Sequence, residues 1–403
     1  MSDVPIEPRS TCASKHTFRP VVLELAMGLD IGGAETHIVS LSKSLKTLGW
    51  DVIVASAGGR RVQDILDSGI PHYEVPLNSR NPLNLMRAYR LLLRLVGEKM
   101  AGDNPINVIH THARIPAWLG THVARRFKVP LVTTYHWTFV SGFPWNMVTR
   151  AGDLTIAVSH DIQDYIVREF GFDPSKVAVV PNGIDCDEFS PKSPDEVKAL
   201  REAYGIEPED VPVLVYASRM NNDLSLTACQ TIQAVVPLLA SYPNLRLLIA
   251  GDGDYLGRVA GEADRVNKMT GRETVRCLGF VSDMASLYQV SDLTIGMSRV
   301  VLEAMACGKP VIVAGPQGDY GPVTKENVDH LDVRNFTSRD APKEVHPETL
   351  AAEIREVLED PKYRDVGEFG RQYVRDTHSA EATARGVQAV YFKAMGFLGP
   401  SSK

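Results

Sequence analysis

The chain has 403 residues, 44% of them hydrophobic, and a formal net charge of −6. That length and apolar content suit two ordinary domains, each with its own core, and exclude a small stapled module. Five scattered cysteines (Cys12, Cys186, Cys229, Cys277, Cys307) form no CxxC pair, and four lie in or near apolar runs, which favours buried reduced thiols and a cytoplasmic protein over disulfides or zinc. No apolar run approaches the ~20 residues that a membrane helix needs. The start, MSDVPIEPRSTCASKHTFRP, lacks the apolar segment of a signal peptide, so a soluble protein with a polar tail over residues 1–18 is expected. Charge is uneven: residues 1–180 carry 19 Lys and Arg against 16 Asp and Glu, giving +3, and residues 181–403 carry 24 against 33, giving −9.

From residue 19 the chain alternates short β-rich apolar runs with helix-like segments: VVLELAM, DVIVASA, HYEVPL, VIHTHA, PLVTTYH, LTIAVS and VAVVPNG. A punctuated stretch, PNGIDCDEFSPKSPDE, interrupts this pattern before it restarts with VPVLVYAS, LRLLIAGDG, VRCLGF, LTIGM and PVIVAG. Strands alternating with helices predict mostly parallel sheets covered on both faces. The fold expected is therefore α/β, with two doubly wound Rossmann-like domains over residues 19–182 and 206–375 and a linker at 183–205. Ligands of such sheets bind at the carboxyl ends of strands, which places a ligand in the cleft between the domains.

Gly32 and Gly33 sit where the first strand turns into a helix carrying Ile38, Leu41 and Leu45 on its apolar face. Glycines there let a ligand approach backbone N–H groups, although GG alone also reads as a plain turn. Residues 82–99 predict a helix with Leu85, Tyr89, Leu92 and Val96 on one face and Arg87, Arg90 and Arg94 on the others. It belongs to a stretch, 80–128, with nine basic and two acidic residues, a local +7. The pattern fits a packed helix with a solvated face or a basic helix resting on an anionic membrane, and the charge suits an anionic surface. His110, His112 and Arg114 follow a strand end, where catalytic side chains of parallel-sheet proteins belong. Two histidines two apart on a strand point the same way, as metal ligands would, but no Asp, Glu or Cys accompanies them at ligand spacing, so no metal is expected.

The stretch SDLTIGMSRVVLEAMACGKPVIVAG, residues 291–315, reads as strand, helix, strand. Leu293–Met297 is the first strand, Ser298 the N-cap of a helix over Val300–Cys307, Gly308 its stop, and PVIVAG the second strand. Glu303 is the one charge inside that apolar helix, and an unpaired buried carboxylate costs several kcal/mol, so cations or hydroxyl donors should meet it. Vicinal sugar hydroxyls would serve; complementing its own helix dipole is the simpler alternative.

LEAMACGKPVIV resembles the C-domain signature of glycosyltransferase family 4, retaining enzymes with the GT-B fold that use nucleotide-diphosphate sugars. GGAETH, HTH, PNGID, SR and GDG agree with it in order over roughly residues 20–390. The resemblance implies that Glu303 grips the nucleotide ribose, that His112 and His136 approach the donor sugar, and that Gly32 and Gly33 face the donor phosphates. It also implies that Arg219 serves the diphosphate, that Gly253 belongs to the family's GDG turn at the donor site, and that backbone near Phe280 and Val281 holds the base. Ser298, Arg299 and Val300 then line the donor site, His110 and Arg114 lie on the acceptor side, and residues 376–403 cross back to the first domain. Two positions depart from the family pattern: Ile295 stands where a first Glu is usual and Leu224 where a diphosphate-binding Lys is usual. Arg299 is read as the cation that replaces that Lys. The expected partners are a nucleotide sugar and an acceptor, without nucleic acid and without a cofactor, at the cytoplasmic face of a membrane or in the cytoplasm. A sugar-nucleotide epimerase of the same fold and a nucleotide-sugar-binding protein that has lost catalysis remain the alternatives.

Overall fold

A computed structural model describes residues 19–30, 32–143 and 145–396. The predicted tail at 1–18, the end of the chain from 397 and Cys12 lie outside the described residues. The expected pair of doubly wound α/β domains is observed. The first sheet contains β1 (Val21–Leu25), β2 (Asp51–Ser56), β3 (His72–Glu74), β4 (Ile106–His112), β5 (Leu131–Tyr135), β6 (Leu154–Ala157) and β7 (Val177–Val179). Its order is β3-β2-β1-β4-β5-β6-β7, all parallel. The second contains β8 (Val213–Ala217), β9 (Arg246–Ala250), β10 (Val275–Gly279), β11 (Leu293–Gly296), β12 (Val311–Gly315) and β13 (Gly318–Pro322). Its order is β10-β9-β8-β11-β12-β13, and only the edge strand β13 runs antiparallel.

Strands β1, β5, β8 and β12 are buried at every position. Helices on both faces exclude water from both, which is why these strands read as continuous apolar runs rather than alternating ones. Strand order reverses between β1 and β4 in the first sheet and between β8 and β11 in the second. Such switch points open a crevice beyond the carboxyl ends of the strands, and the ends of these four strands and the loops leaving them carry Gly32, His112, Arg219 and Ser298.

Two segments join the domains side by side. The Ile184 N–H donates to His378 O (2.7 Å) and the Ala380 N–H donates to Ile184 O (2.8 Å). The helix Ala380–Ala394 then lies on the first domain, where Val387, Val390 and Tyr391 share a core with Val22, Leu41 and Trp50. The stretch read as linker is only partly one. Pro194–Ala203 is a helix, started by a capping box between Ser193 and Glu196. Arg201 fastens it to the second domain through Val290 O (3.0 Å) and Asp292 (2.8 Å). Cys186, Cys229, Cys277 and Cys307 are all free thiols.

Candidate active site

The first domain contributes a buried set of imidazoles. His112 closes β4 and His136 follows β5; His112 Nδ1 and His136 Nε2 share a hydrogen bond of 3.2 Å. His37, on the helix Gly33–Thr47, stands edge-on to His136 with ring centroids 5.0 Å apart. Burial and the neighbouring imidazoles hold His112 and His37 well below the ordinary histidine range, and burial brings His136 down to about 4. All three are thus neutral at pH 7, able to donate or accept a hydrogen bond but carrying no charge. Among the described residues, His112 Nε2 is buried with no hydrogen-bond partner.

His110 departs from the acceptor-side expectation. Alternation along β4 puts it on the same face as His112 but one step deeper, where it is fully buried. Its Nδ1 meets Tyr391 OH and its Nε2 meets Thr134 Oγ1, each at 2.7 Å. The reading that no carboxylate accompanies the histidines is also corrected. Glu24 lies opposite His110 in the β1–β4 register, with Oε1 3.9 Å from His110 Nδ1. Ligand atoms of Glu24, His110 and His112 all lie within 4.8 Å of one another, close enough to be gathered around a metal ion. The donor set argues for a neutral network instead. Both His110 nitrogens are already taken by hydroxyls, burial pushes the Glu24 carboxyl up to about 8 and brings His110 down to about 3. Glu24 and His110 therefore face each other uncharged, with Ser42 Oγ donating to Glu24 Oε2 at 2.5 Å.

Arg114 is likewise not free. Its guanidinium lies over Phe139 (4.2 Å) and Trp145 (5.4 Å) and donates to Val140 O (2.7 Å), pinning the loop that follows β5.

The second domain contributes the cations and Glu303. The GDG turn is built to pack on the segment that bears Arg219. Gly253 has φ +153, and a Cβ there would stand 2.6 Å from Met220 O. Met220 N–H in turn donates to Asp252 O (3.0 Å). Arg219 thereby reaches the other domain: a Cβ on Gly32 would lie 2.7 Å from Arg219 Nη2 and against the Glu35 carboxylate. Glycine there accommodates both side-chain ends without displacing either. Phe280 stands exposed at the end of β10 with Val281 half-buried beside it.

Leu224, in the place of the usual Lys, lines an open cavity of about 670 Å³ between the domains, together with Trp137, Asn221, Met297, Gln317 and His346. Asn221 Oδ1 caps the helix Asn222–Leu238 by accepting from Leu224 N–H (3.2 Å), so that helix begins at the cavity wall.

Ser298 occupies the N-cap position but does not cap. Its φ of +54 turns the side chain away; its N–H donates to Phe336 O (2.7 Å) and its Oγ accepts from Asn335 Nδ2 (3.3 Å). Val300 follows, half-buried in the first turn. Glu303 is buried and paired within the protein. Arg299 Nε lies 2.6 Å from its Oε1, and Tyr288 OH donates to its Oε2 at 3.1 Å. Burial pushes Glu303 up despite Arg299 and Tyr288. Arg299 is accordingly not the free diphosphate cation expected. An arginine four residues before a buried glutamate on one helix meets it directly, and its Nη1 is spent on Gly183 O (3.2 Å) at the interdomain crossing.

Three residues that sequence reasoning missed complete the cleft. Arg61 donates to Thr36 Oγ1 (2.5 Å) at the start of the Gly33–Thr47 helix and faces Glu303 and Glu188 closely enough to act on both carboxylates. Glu35 shares the Gly32 corner with Arg219. Arg339 crosses from the second domain to pair with Asp161, and its guanidinium lies 4.9 Å from the Trp137 ring centroid. The GGAETH string holds Glu35 in plain view; Arg61 and Arg339 carry no local signal.

Comparison with known proteins agrees with this geometry. Residues 31–188 match the profile "Glycosyltransferase Family 4" and residues 211–360 match "Glycosyl transferases group 1". These matches together cover most of the chain, which is a glycosyltransferase of the GT-B fold. It is similar to the D-inositol 3-phosphate glycosyltransferase of Xylanimonas cellulosilytica, with 26% identity over 77% of this chain and 81% of that one. The alpha-monoglucosyldiacylglycerol synthase of Acholeplasma laidlawii is 24% identical over 70% of this chain and 77% of its own. The Anabaena Alr3699/HepE structure in complex with UDP-glucose superposes with a TM-score of 0.72, covering 93% of this chain and 99% of that one at 20% identity. At that identity the superposition shows the fold.

Proposed function

We propose that the protein transfers a sugar from a nucleoside-diphosphate sugar to an acceptor held mainly by the first domain, with retention of anomeric configuration and without a metal cofactor. The observation that carries this reading is Arg219 against Gly32. It sets a guanidinium from one domain beside the glycine loop of the other, at the meeting of both switch points, where a diphosphate can be held from two sides. UDP is the first nucleotide to test, because HepE binds UDP-glucose in the same fold.

The departing diphosphate is stabilised by Arg219, by glycine-loop amides and by the helix start at Ser298. Glu303 accepts the ribose hydroxyls. With Ile295 buried in place of a first Glu, a front-face route is favoured. The acceptor oxygen bonds to the anomeric carbon on the face from which the diphosphate leaves, the carbon–oxygen bond to phosphate breaks, and the acceptor proton passes to a departing phosphate oxygen. Neutral His112, its Nε2 unsatisfied, is suited to a sugar hydroxyl near that centre. The basic stretch 80–128 attracts an anionic acceptor or lipid surface.

The test is incubation with a panel of nucleotide sugars and candidate acceptors. Release of nucleoside diphosphate with a glycosylated product supports transfer; an epimeric sugar nucleotide, or tight binding without turnover, refutes it. Nuclear magnetic resonance of the first-formed product decides retention, and an inverted anomer overturns the front-face assignment.

A further inference from the structure

The most exposed apolar side chains of the first domain gather at one rim of the cleft. Phe143 is 87% exposed, Val140 67% and Met147 59%, all on the loop between β5 and β6. Leu83 is 76% exposed and Met86 is also exposed, in the first turns of the helix Pro82–Met100. Single exposed hydrophobics are ordinary, but five on two adjoining elements mark an interaction surface. The elements adjoin at Arg80, whose guanidinium lies 5.5 Å from the Trp145 ring centroid.

The loop is built to present its tip. Its base is fixed by Arg114 on Phe139 and Val140 O, by Tyr165 on Phe139, by Ser141 Oγ donating to Glu169 (2.9 Å), and by Gly142 N–H donating to Asn146 Oδ1 (2.9 Å). With the base held, Phe143 and Val140 stand exposed at the tip. Around them stand the exposed cations Arg80, Arg87, Arg90 and Arg94, and no acidic residue occurs from 75 to 97. Arg94 is answered by Glu98 at 2.8 Å; Arg87 and Arg90 form no ion pair among the described residues.

We propose that this rim docks the protein on an anionic lipid bilayer, with Phe143, Val140 and Met147 entering the interface beside Leu83 and Met86 and the arginines meeting lipid headgroups. Apolar tips ringed by one sign of charge are complementary to that surface. Trp137 belongs to the same loop and lines the interdomain cavity, so an acceptor carried by the bilayer would enter the cleft along it. The inference rests on the glycosyltransferase reading only for the identity of what enters.

Flotation of the full chain with vesicles of phosphatidylcholine, alone and mixed with phosphatidylglycerol, tests it at low and high salt. Binding to the anionic vesicles that weakens with salt is expected, as is a blue-shifted, lipid-quenchable tryptophan in Phe143→Trp. Phe143→Asp should lower partitioning by about tenfold or more, and Arg87→Glu with Arg90→Glu should abolish the preference for anionic lipid. UDP-dependent thermal stabilisation should be unchanged in these variants, which shows them folded. Absence of flotation for the wild type at low salt, or flotation unchanged by Phe143→Asp, overturns the proposal. If the wild type is stabilised by UDP but does not float, the docking surface falls and the glycosyltransferase reading stands. If it floats but no nucleotide stabilises it, the reverse holds.

Discussion

Replacing Glu303 by Gln separates its two tasks, holding Arg299 and gripping ribose. In the free protein both carboxylate oxygens are engaged, by Arg299 at 2.6 Å and Tyr288 at 3.1 Å. Removing one partner of a buried pair costs ~3–5 kcal/mol when the remaining charge has no recourse. Here the Arg299 side chain keeps 19% exposure and a bond to Gly183 O, and Gln can still accept, so the loss should be nearer the ~1.5–3 kcal/mol of a charged hydrogen bond. Arg299→Gln should cost a similar amount by stranding the carboxylate, and the double variant should cost less than the two singles summed. Chemical denaturation of the four proteins gives that cycle. Nucleotide affinity, measured by calorimetry, is the second axis. A carboxylate holds spare acceptor capacity beyond two bonds, so ribose can bind without displacing Arg299. Glu303→Gln should weaken UDP by ~1.5–3 kcal/mol, or roughly 10- to 150-fold. In Arg299→Gln, equal loss for UMP and UDP means that the arginine acts only by orienting Glu303. A loss confined to UDP returns it to the diphosphate. A folded Glu303→Gln that binds UDP as the parent does would refute the ribose assignment and leave the pair structural.

The buried carboxyl and imidazoles give stability opposite dependences on pH. Glu24, raised from 4.5 to about 8, keeps in the fold a proton that the unfolded chain releases, so its contribution is full below 4.5 and is lost as pH rises through about 8. His110, lowered from 6.5 to about 3, contributes above 6.5 and loses that contribution as pH falls toward 3. Between pH 6.5 and 8 Glu24 therefore dominates the pair, and wild-type stability should fall by up to ~1.4 kcal/mol per pH unit. Glu24→Gln should reduce that fall in urea titrations at pH 6.5 and 8, leaving the part due to Glu353, which burial raises to about 7, and an unchanged slope would clear Glu24 of the effect. His112→Ala should lower turnover at least tenfold with UDP affinity kept within twofold, the split expected of a group that meets the sugar rather than the nucleotide. Tyr391→Ala should cost ~3–5 kcal/mol, as for large core aromatics, because its ring packs 5.0 Å from Trp50 and its hydroxyl holds His110. Hydrogen exchange should then rise in β1 and β4 before β8 and β11.

The fold is legible because its signals are local. Continuous apolar runs mark strands buried on both faces, whereas the helix that Ser193 caps is hidden inside a stretch that reads as linker because Pro, Ser and Asp punctuate loops and helix starts alike. The pairing of Arg299 with Glu303 is local as well, since i and i+4 on a helix are neighbours, and here that spacing outweighs the family analogy. What sequence spacing hides is contact made by topology. Glu24 meets His110 from 86 positions away because β1 and β4 are neighbours at the switch point, and Tyr391 meets it from 281 positions away because the last helix crosses back. No periodicity encodes either distance.

Ser298 shows the same limit from the side of strain. Its residue type says cap, but its φ of +54 and that of Ala113, +80, place non-glycine residues in left-handed backbone at strand-to-helix turns, one in each domain. Both turns leave a switch-point strand, β11 in one case and β4 in the other. Such conformations cost on the order of 1–3 kcal/mol and persist where the surroundings over-determine them. At Ser298 the surroundings are Asn335 and Phe336, themselves at positive φ. The strained turn sets the direction of the helix that carries Arg299 and Glu303, just as the turn at Ala113 sets that of the helix carrying Arg114. Backbone strain and buried or paired polar side chains thus coincide at the two places where strand order reverses, an arrangement that no motif encodes.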